Sequence, residues 1–349
     1  MKKFLLIILI ISLVISLGWI FKIVFISQAG NGEIKNFNIS QGEGVHQISR
    51  DLKTAGLIDN SFIFETYLWA IKGGNKILAG EHTINASWSI RHLVNALISG
   101  SDLENERVIT ILEGWNLRDI ANYFVKIGVI TESDELYGLV GYPGVDYTNN
   151  YTLPNPTDFS ADYEFLAEKP KNLSIEGYLF PDTYRVFKNA KLEDIIKKML
   201  DNFDHKITSA MAGQIESQGK KLYDILTLAS IIEKEAKTLE DKKRVAGVYY
   251  NRLEIGMALQ ADPTVNYITE KQTDRPSSED LQTDNLYNTY KYPGLPPGPI
   301  CNPGLDSIMA AIYPEKNDYY YFINTPDGKM IFAKTFAEHK LNREKYFND

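Results

Sequence analysis

The sequence predicts an α+β protein, on three observations. A strand, a glycine turn and an amphipathic helix occur twice in the first 131 residues, helical periodicity dominates from Leu192 to Ile255, and two aromatic strand runs surround Thr325-Pro326-Asp327-Gly328 near the end. With 349 residues the chain has material for about two domains and an ample core.

The first element is apolar. Lys2 and Lys3 precede eighteen uncharged residues, Phe4 to Phe21, and a second apolar run follows Lys22. Together these approach the roughly 20 residues that cross a bilayer, so a single transmembrane anchor is expected over residues 1–28. The two lysines put the N-terminus in the cytoplasm and the remainder outside the plasma (inner) membrane. A cleaved signal peptide is the alternative, with Ser27-Gln28-Ala29 as a poor small-x-small site.

Residues 27–37 are polar and read as a linker. The repeat follows: ISQGEGVHQISRDLKTAGLID (39–59) aligns without gaps on ILEGWNLRDIANYFVKIGVIT (111–131), matching Ile39 with Ile111, Gly42 with Gly114, Ile48 with Ile120, Gly56 with Gly128 and Ile58 with Ile130. Each copy reads as a short strand, a Gly turn, an amphipathic helix and a Gly where the helix ends in a left-handed residue. After the first copy, Phe62 to Ile71 predicts a second helix and Gly80 to Ile84 a returning strand. Strand-helix-helix-strand is the plan of small glycan-binding modules, so residues 36–104 resemble a LysM-like subdomain; a compact spacer is the plain alternative. A catalytic domain is expected over 105–349, containing the second unit at 109–140.

Between 141 and 174 the chain is rich in Tyr, Asn, Pro and Asp, which predicts a long surface loop with one short helix at Tyr163 to Glu168. Residues 175–186, IEGYLFPDTYRV, read as strand-like. Helices are expected over Leu192 to Ser217, Tyr223 to Ala236 and Leu239 to Ile255, then a hairpin over 319–333 and a last helix from Phe336 to Tyr346.

One helix carries a chemical signal. In LTLASIIEKEA (226–236), Glu233 falls in line with Leu222, Leu226 and Ala229, Glu235 lies toward the opposite margin, and Lys234 points away from both. A carboxyl kept among apolar groups is harder to ionise and becomes a proton donor near neutral pH. The plain alternative is a glutamate that edges a buried stripe and pairs with a nearby lysine or arginine such as Arg244. Downstream, Gln260, Asp262, Thr264 and Asn266 stand in a Pro-interrupted loop, and Asn288, Thr289 and Tyr290 stand beside the proline-stiffened GLPPGPI run. Amides, hydroxyls and tyrosines in rigid loops suit sugar rings.

Other chemistries lack a signal. The formal charge of −8 and scattered basic residues argue against nucleic acid. Cys301 is the single cysteine, the five histidines are isolated, and no Walker loop or dinucleotide fingerprint occurs, so no metal or cofactor is expected.

The ordered series EGYLFPDTY, LASIIEKEA, NRLEIGMALQADPTV, YNTY, GLPPGPI and NPG resembles the motifs of the MltG (YceG-like) family of endolytic murein transglycosylases, and the apolar start and LysM-like part stand where that family has them. There are two departures: Leu112-Glu113-Gly114 replaces the family's usual Pro-Glu-Gly, and the stretch at 141–174 is long. The resemblance implies cleavage of the β-1,4 bond between N-acetylmuramic acid and N-acetylglucosamine in nascent peptidoglycan strands, leaving 1,6-anhydro ends and limiting strand length. It implies Glu233 as the catalytic acid, while the loop residues Gln260, Asp262, Thr264, Asn288, Thr289 and Tyr290 are expected from their side-chain types to contact the substrate. Membrane-bound peptidoglycan synthases of the penicillin-binding type are the natural partners. A lysozyme-like muramidase pairing Glu233 with Asp262, and a non-catalytic peptidoglycan-binding scaffold, remain alternatives.

Overall fold

The computed structural model describes residues 24, 34–99, 106–149, 152–271, 273 and 275–347. They divide into two compact units: the described residues up to 107 together with 187–189, and residues 108–186 with 190–347.

The first unit begins with β1 (Ile34–Ile39), α1 (Val45–Thr54), α2 (Ser61–Ala70), β2 (Gly80–Asn85) and α3 (Ile90–Ser99). β1 and β2 pair antiparallel, with Ile34 opposite Asn85 and Ile39 opposite Gly80. Ile48 and Leu52 of α1, Phe64 and Leu68 of α2, Ile84 of β2 and Leu93 of α3 form its core. Asn60 starts α2 by accepting from the amides of Phe62 and Ile63, the preferred chemistry for a helix N-cap.

The second copy of the repeat begins with β3 (Glu106–Thr110) and continues into α4 (Leu117–Lys126) and α5 (Ser133–Val140). Its glycines repeat the backbone of the first copy: φ is +83° at Gly42 and +78° at Gly114, then +70° at Gly56 and +66° at Gly128. Asn116 and Asp119 close a reciprocal capping box at the start of α4. β3 pairs with β4 (Thr183–Phe187), which occupies only the end of the stretch expected to be extended. The described residues of 141–174 include three short 3₁₀ turns, and Phe159, Leu166 and Leu173 are buried, so they are packed rather than a loose surface loop.

The helical region is built from α6 (Leu192–Lys206), α7 (Ser209–Ser217), α8 (Leu222–Glu235), α9 (Leu239–Glu254), α10 (Asp262–Thr269) and α11 (Leu305–Ile312). Thr208, whose hydroxyl accepts from the Met211 amide, divides what the periodicity alone joins into one helix. α8 is the axis of the unit: Tyr223 and every residue from Ile225 to Ile232 are buried, as expected of a helix that is apolar on all sides. An antiparallel hairpin, β5 (Tyr321–Asn324) with β6 (Met330–Ala333), and α12 (Phe336–Phe347) complete the chain.

Two expectations are corrected. Among the described residues no helix is long and apolar enough to cross a membrane, the longest being the 16 residues of α9, so the fold they show is α+β with no membrane-spanning helix among them. The stretch 1–28 on which that helix was expected lies, except for Val24, outside the described residues. Of the Pro-interrupted loop expected at 259–267, residues from Asp262 onward form the start of α10: Pro263 stands in its first turn, where a helix needs no backbone donor.

Gly177 tests the packing beside α4. Its φ is +91°, and a Cβ there would lie 2.6 Å from Cγ of Pro299. Gly128 has φ +66° with open space around it. Gly128→Ala is expected to cost about 1 kcal/mol in urea unfolding, the left-handed penalty alone. Gly177→Ala adds a backbone shift and is expected to cost at least about 2–3 kcal/mol more; equal costs would contradict this packing.

Candidate active site

The last turn of α8 leaves the core, and successive residues there point about 100° apart. Glu233 and Glu235 therefore face different surroundings. Glu233 turns toward α9 and α11. Its carboxylate pairs with the Lys242 ammonium at 3.2 Å and accepts from the Gly304 amide at 3.0 Å and the Ser307 hydroxyl at 2.5 Å. The two charged side chains retain 9% and 4% of their exposure, so the pair is sealed. Gly304 and Ser307 belong to the start of α11, an end that favours a negative charge. The Glu113 carboxyl lies beside them; burial first, and then the charge of Glu233, raise its pKa.

Glu235 opens into a cleft of roughly 1570 Å³ lined also by Trp115, Gln260, Asp262, Tyr290 and Tyr321. Tyr249 Oη, buried on α9, donates to Glu235 Oε1 at 3.1 Å, and Asn324 donates to its backbone carbonyl at 3.0 Å. Burial pushes the Glu235 carboxyl up to about 7; the Asp262 charge raises it further, while the Tyr249 hydroxyl and Arg252 oppose. This is the electrostatic signature of a proton donor.

Asp262 is the first residue of α10, and the Tyr290 hydroxyl donates to it at 2.5 Å. Gln260, just before it, holds φ at +48°, a left-handed conformation uncommon for a residue with a side chain, and its amide donates to the Thr289 carbonyl at 3.1 Å. The remaining expected contacts are buried supports. Thr264 and Thr289 join hydroxyls at 2.9 Å, Thr289 Oγ1 accepts from the Ala261 amide, and Asn288 donates to the carbonyls of Leu281 and Thr283 while accepting from the Tyr290 amide. Of the residues singled out in the sequence, Gln260, Asp262, Asn266 and Tyr290 line the cleft; Thr264, Asn288 and Thr289 hold the loops that carry them; Glu233 does not line it.

Several residues escaped the sequence reading. From the sequence, Glu235 stands on the same helix with no assigned role. Glu176 is buried and takes both carboxyl oxygens to the Leu117 amide at 3.1 Å, with Tyr267 and Asn302 as further donors. Burial pushes its pKa up to about 8, against the Leu117 amide and the Arg118 charge. Asn302 accepts from the amides of Gly177 and Leu179 and donates to the Trp115 carbonyl, tying three motifs together. The available signal was that both residues stand inside quoted motifs, EGYLFPDTY and NPG. Among the described residues no group of three or more His, Cys, Asp or Glu could hold a metal ion.

The arrangement can donate a proton from one carboxyl and present a second, tyrosine-held carboxylate across the same cleft. Comparison with known proteins gives the same context. The YceG-like family matches residues 37–345. An endolytic murein transglycosylase of Bacillus subtilis (strain 168) is 35% identical over 318 residues, 90% of this chain and 85% of that protein. An endolytic murein transglycosylase of Streptococcus pneumoniae serotype 2 is 31% identical over 326 residues, 89% of this chain and 58% of that longer protein. The crystal structure of a YceG-like protein from Listeria monocytogenes, 32% identical, superposes with a TM-score of 0.57 over 89% of this chain and 100% of its own. With a match spanning nearly all of its described length, the chain belongs to the YceG-like family.

Proposed function

We propose that the protein is an endolytic murein lytic transglycosylase and that Glu235, rather than Glu233, is its proton donor. The observation that carries the assignment is a carboxyl at the end of α8 that opens into the cleft with its pKa lifted to about 7. Glu233 has the opposite setting, a charge already answered by Lys242, Ser307 and the Gly304 amide.

The chemistry needs no water. Glu235 gives its proton to the oxygen bridging N-acetylmuramic acid and N-acetylglucosamine, and the bond from the muramyl anomeric carbon to that oxygen breaks. The muramyl 6-hydroxyl oxygen closes on the anomeric carbon, and its proton returns to the Glu235 carboxylate. One group thus serves as acid and then base, and a 1,6-anhydro end remains. Asp262, held by Tyr290, faces the positive charge that develops at the anomeric centre.

A second reading is favoured by one feature: Glu235 and Asp262 both line the cleft, a pair of carboxyl groups of the kind muramidases that use water employ. Product mass separates the two readings by one water, about 18 Da. We also place the work outside the cytoplasmic membrane, where murein lies, beside the synthases that extend glycan strands. The apolar run after Lys2 and Lys3 supports export of the folded part.

On purified sacculi, Glu235→Gln is expected to lower the rate of anhydro-muropeptide release by about 10²–10⁴-fold, the usual contribution of a positioned acid, with little change in unfolding midpoint. Retained wild-type release would remove Glu235 from the mechanism. Glu233→Gln should behave differently: it leaves Lys242 sealed without its charge partner and is expected to cost about 3 kcal/mol of stability in denaturant titration. Since the donor acts protonated, kcat/KM should be level below about pH 7 and fall with rising pH as Glu235 ionises. A profile that rises through pH 7 would require a different donor.

A further inference from the structure

The far wall of the cleft carries charge that the bond-breaking step does not use. The chain as a whole is acidic, with a formal charge of −8, yet Arg118, Lys234, Arg252, Lys271, Arg275 and Arg343 all line the cleft. Three of these are committed. Arg118 pairs with Glu270 at 3.1 Å, Lys271 with Asp280 at 2.6 Å, and Arg252 is buried against the carbonyls of Leu259 and Tyr320 at 2.5 and 2.7 Å.

Arg275 and Arg343 are exposed, and among the described residues neither has a carboxylate within ion-pair distance. The placement of Arg275 is nonetheless fixed. The Arg275 guanidinium lies 4.8 Å from the centre of the Phe347 ring, so the segment after α10 meets the last turn of α12. α12 buries none of its residues and is held on β5 by Tyr321, whose ring packs 5.8 Å from Phe336 and 5.3 Å from His339. Arg343 stands one turn beyond His339. Burial first, then the charges of Arg343 and Arg252, lower the His339 pKa.

Where the muramyl lactyl carboxyls are tied up in amide bonds to peptide, the sugars themselves offer only hydroxyls and amides, which need no permanent cation. A murein strand also carries short peptides on its muramyl lactyl groups, and these present free carboxylates. A guanidinium fork matches a carboxylate in shape and charge, and its weak hydration makes that pairing inexpensive at a half-open site. The two arginines open into the same cleft as Glu235, so the anion they meet belongs to the ligand that occupies it.

We propose that Arg275 and Arg343 form a subsite for the carboxylates of the peptide stems on a murein strand bound across Glu235. The subsite rests on reading the cleft as the murein-cleaving site. It makes α12 and the segment after α10 a peptide-reading wall opposite the sugar-reading loops.

The test uses the full chain carrying Glu235→Gln, titrated calorimetrically with peptide-bearing murein fragments of equal sugar length whose stem carboxylates are either free or blocked as amides. The fragment with free carboxylates is expected to bind about tenfold more tightly, equivalent to roughly 1.4 kcal/mol. Arg275→Gln with Arg343→Gln should abolish that preference, the corresponding pair of lysine substitutions should keep part of it, and 0.5 M salt should weaken it. Equal binding of both fragments at the outset, or a preference that survives the double glutamine variant, overturns the subsite. If the wild-type chain still releases anhydro products in that case, the subsite alone falls; if it neither binds nor cuts either fragment, the reaction assignment falls with it.

Discussion

The ion pair between Glu233 and Lys242 is the constraint on which the site depends. It joins the end of α8 to α9, and through the Gly304 amide and the Ser307 hydroxyl it also fixes the start of α11. A sealed pair adds little net stability compared with well-packed apolar groups, but removing one partner strands the other charge. Its value here is geometric. With residue 233 locked on one side of the helix, residue 235 is turned to the other, into the cleft. The proposed donor is thereby aimed by a neighbour whose own charge is already paired.

Local pattern carried most of the fold. The glycine-punctuated repeat could be read because its requirements are local: a left-handed residue at Gly42 and Gly114, and another where each helix ends. The helices from Leu192 to Ile255 and the final hairpin were legible for the same reason. The break at Thr208 depends on one side-chain cap, and α10 begins with a proline that can also mark a loop, so periodicity missed both. The site was legible to within one helical turn. The helical wheel identified Glu233 as the enclosed acid, and it is enclosed. What surrounds it comes from residues 242, 304 and 307, and no wheel drawn on α8 shows that these supply charge and hydrogen bonds.

A second division separates residues that meet the ligand from residues that hold them. Gln260 and Asp262 owe their positions to a buried hydroxyl pair, Thr264 with Thr289, and to backbone bonds made across to that loop. Polar residue types alone could not sort the two classes, because a buried threonine and a ligand-facing one read identically in the sequence. Burial sorts them at once, and the strained backbone of Gln260 marks where the support ends and the cleft begins.

Glu235 and Asp262 also sit at opposite kinds of helix end. Glu235 closes α8, where unpaired carbonyls gather, and Asp262 opens α10, where unpaired amides gather. The backbone thus disfavours negative charge at the first and welcomes it at the second. Chain direction, fixed when the helices form, gives the two acids unlike roles before any ligand arrives. Exchanging the side chains would leave that polarity untouched, so the division of labour belongs to the main chain as much as to the residues it bears.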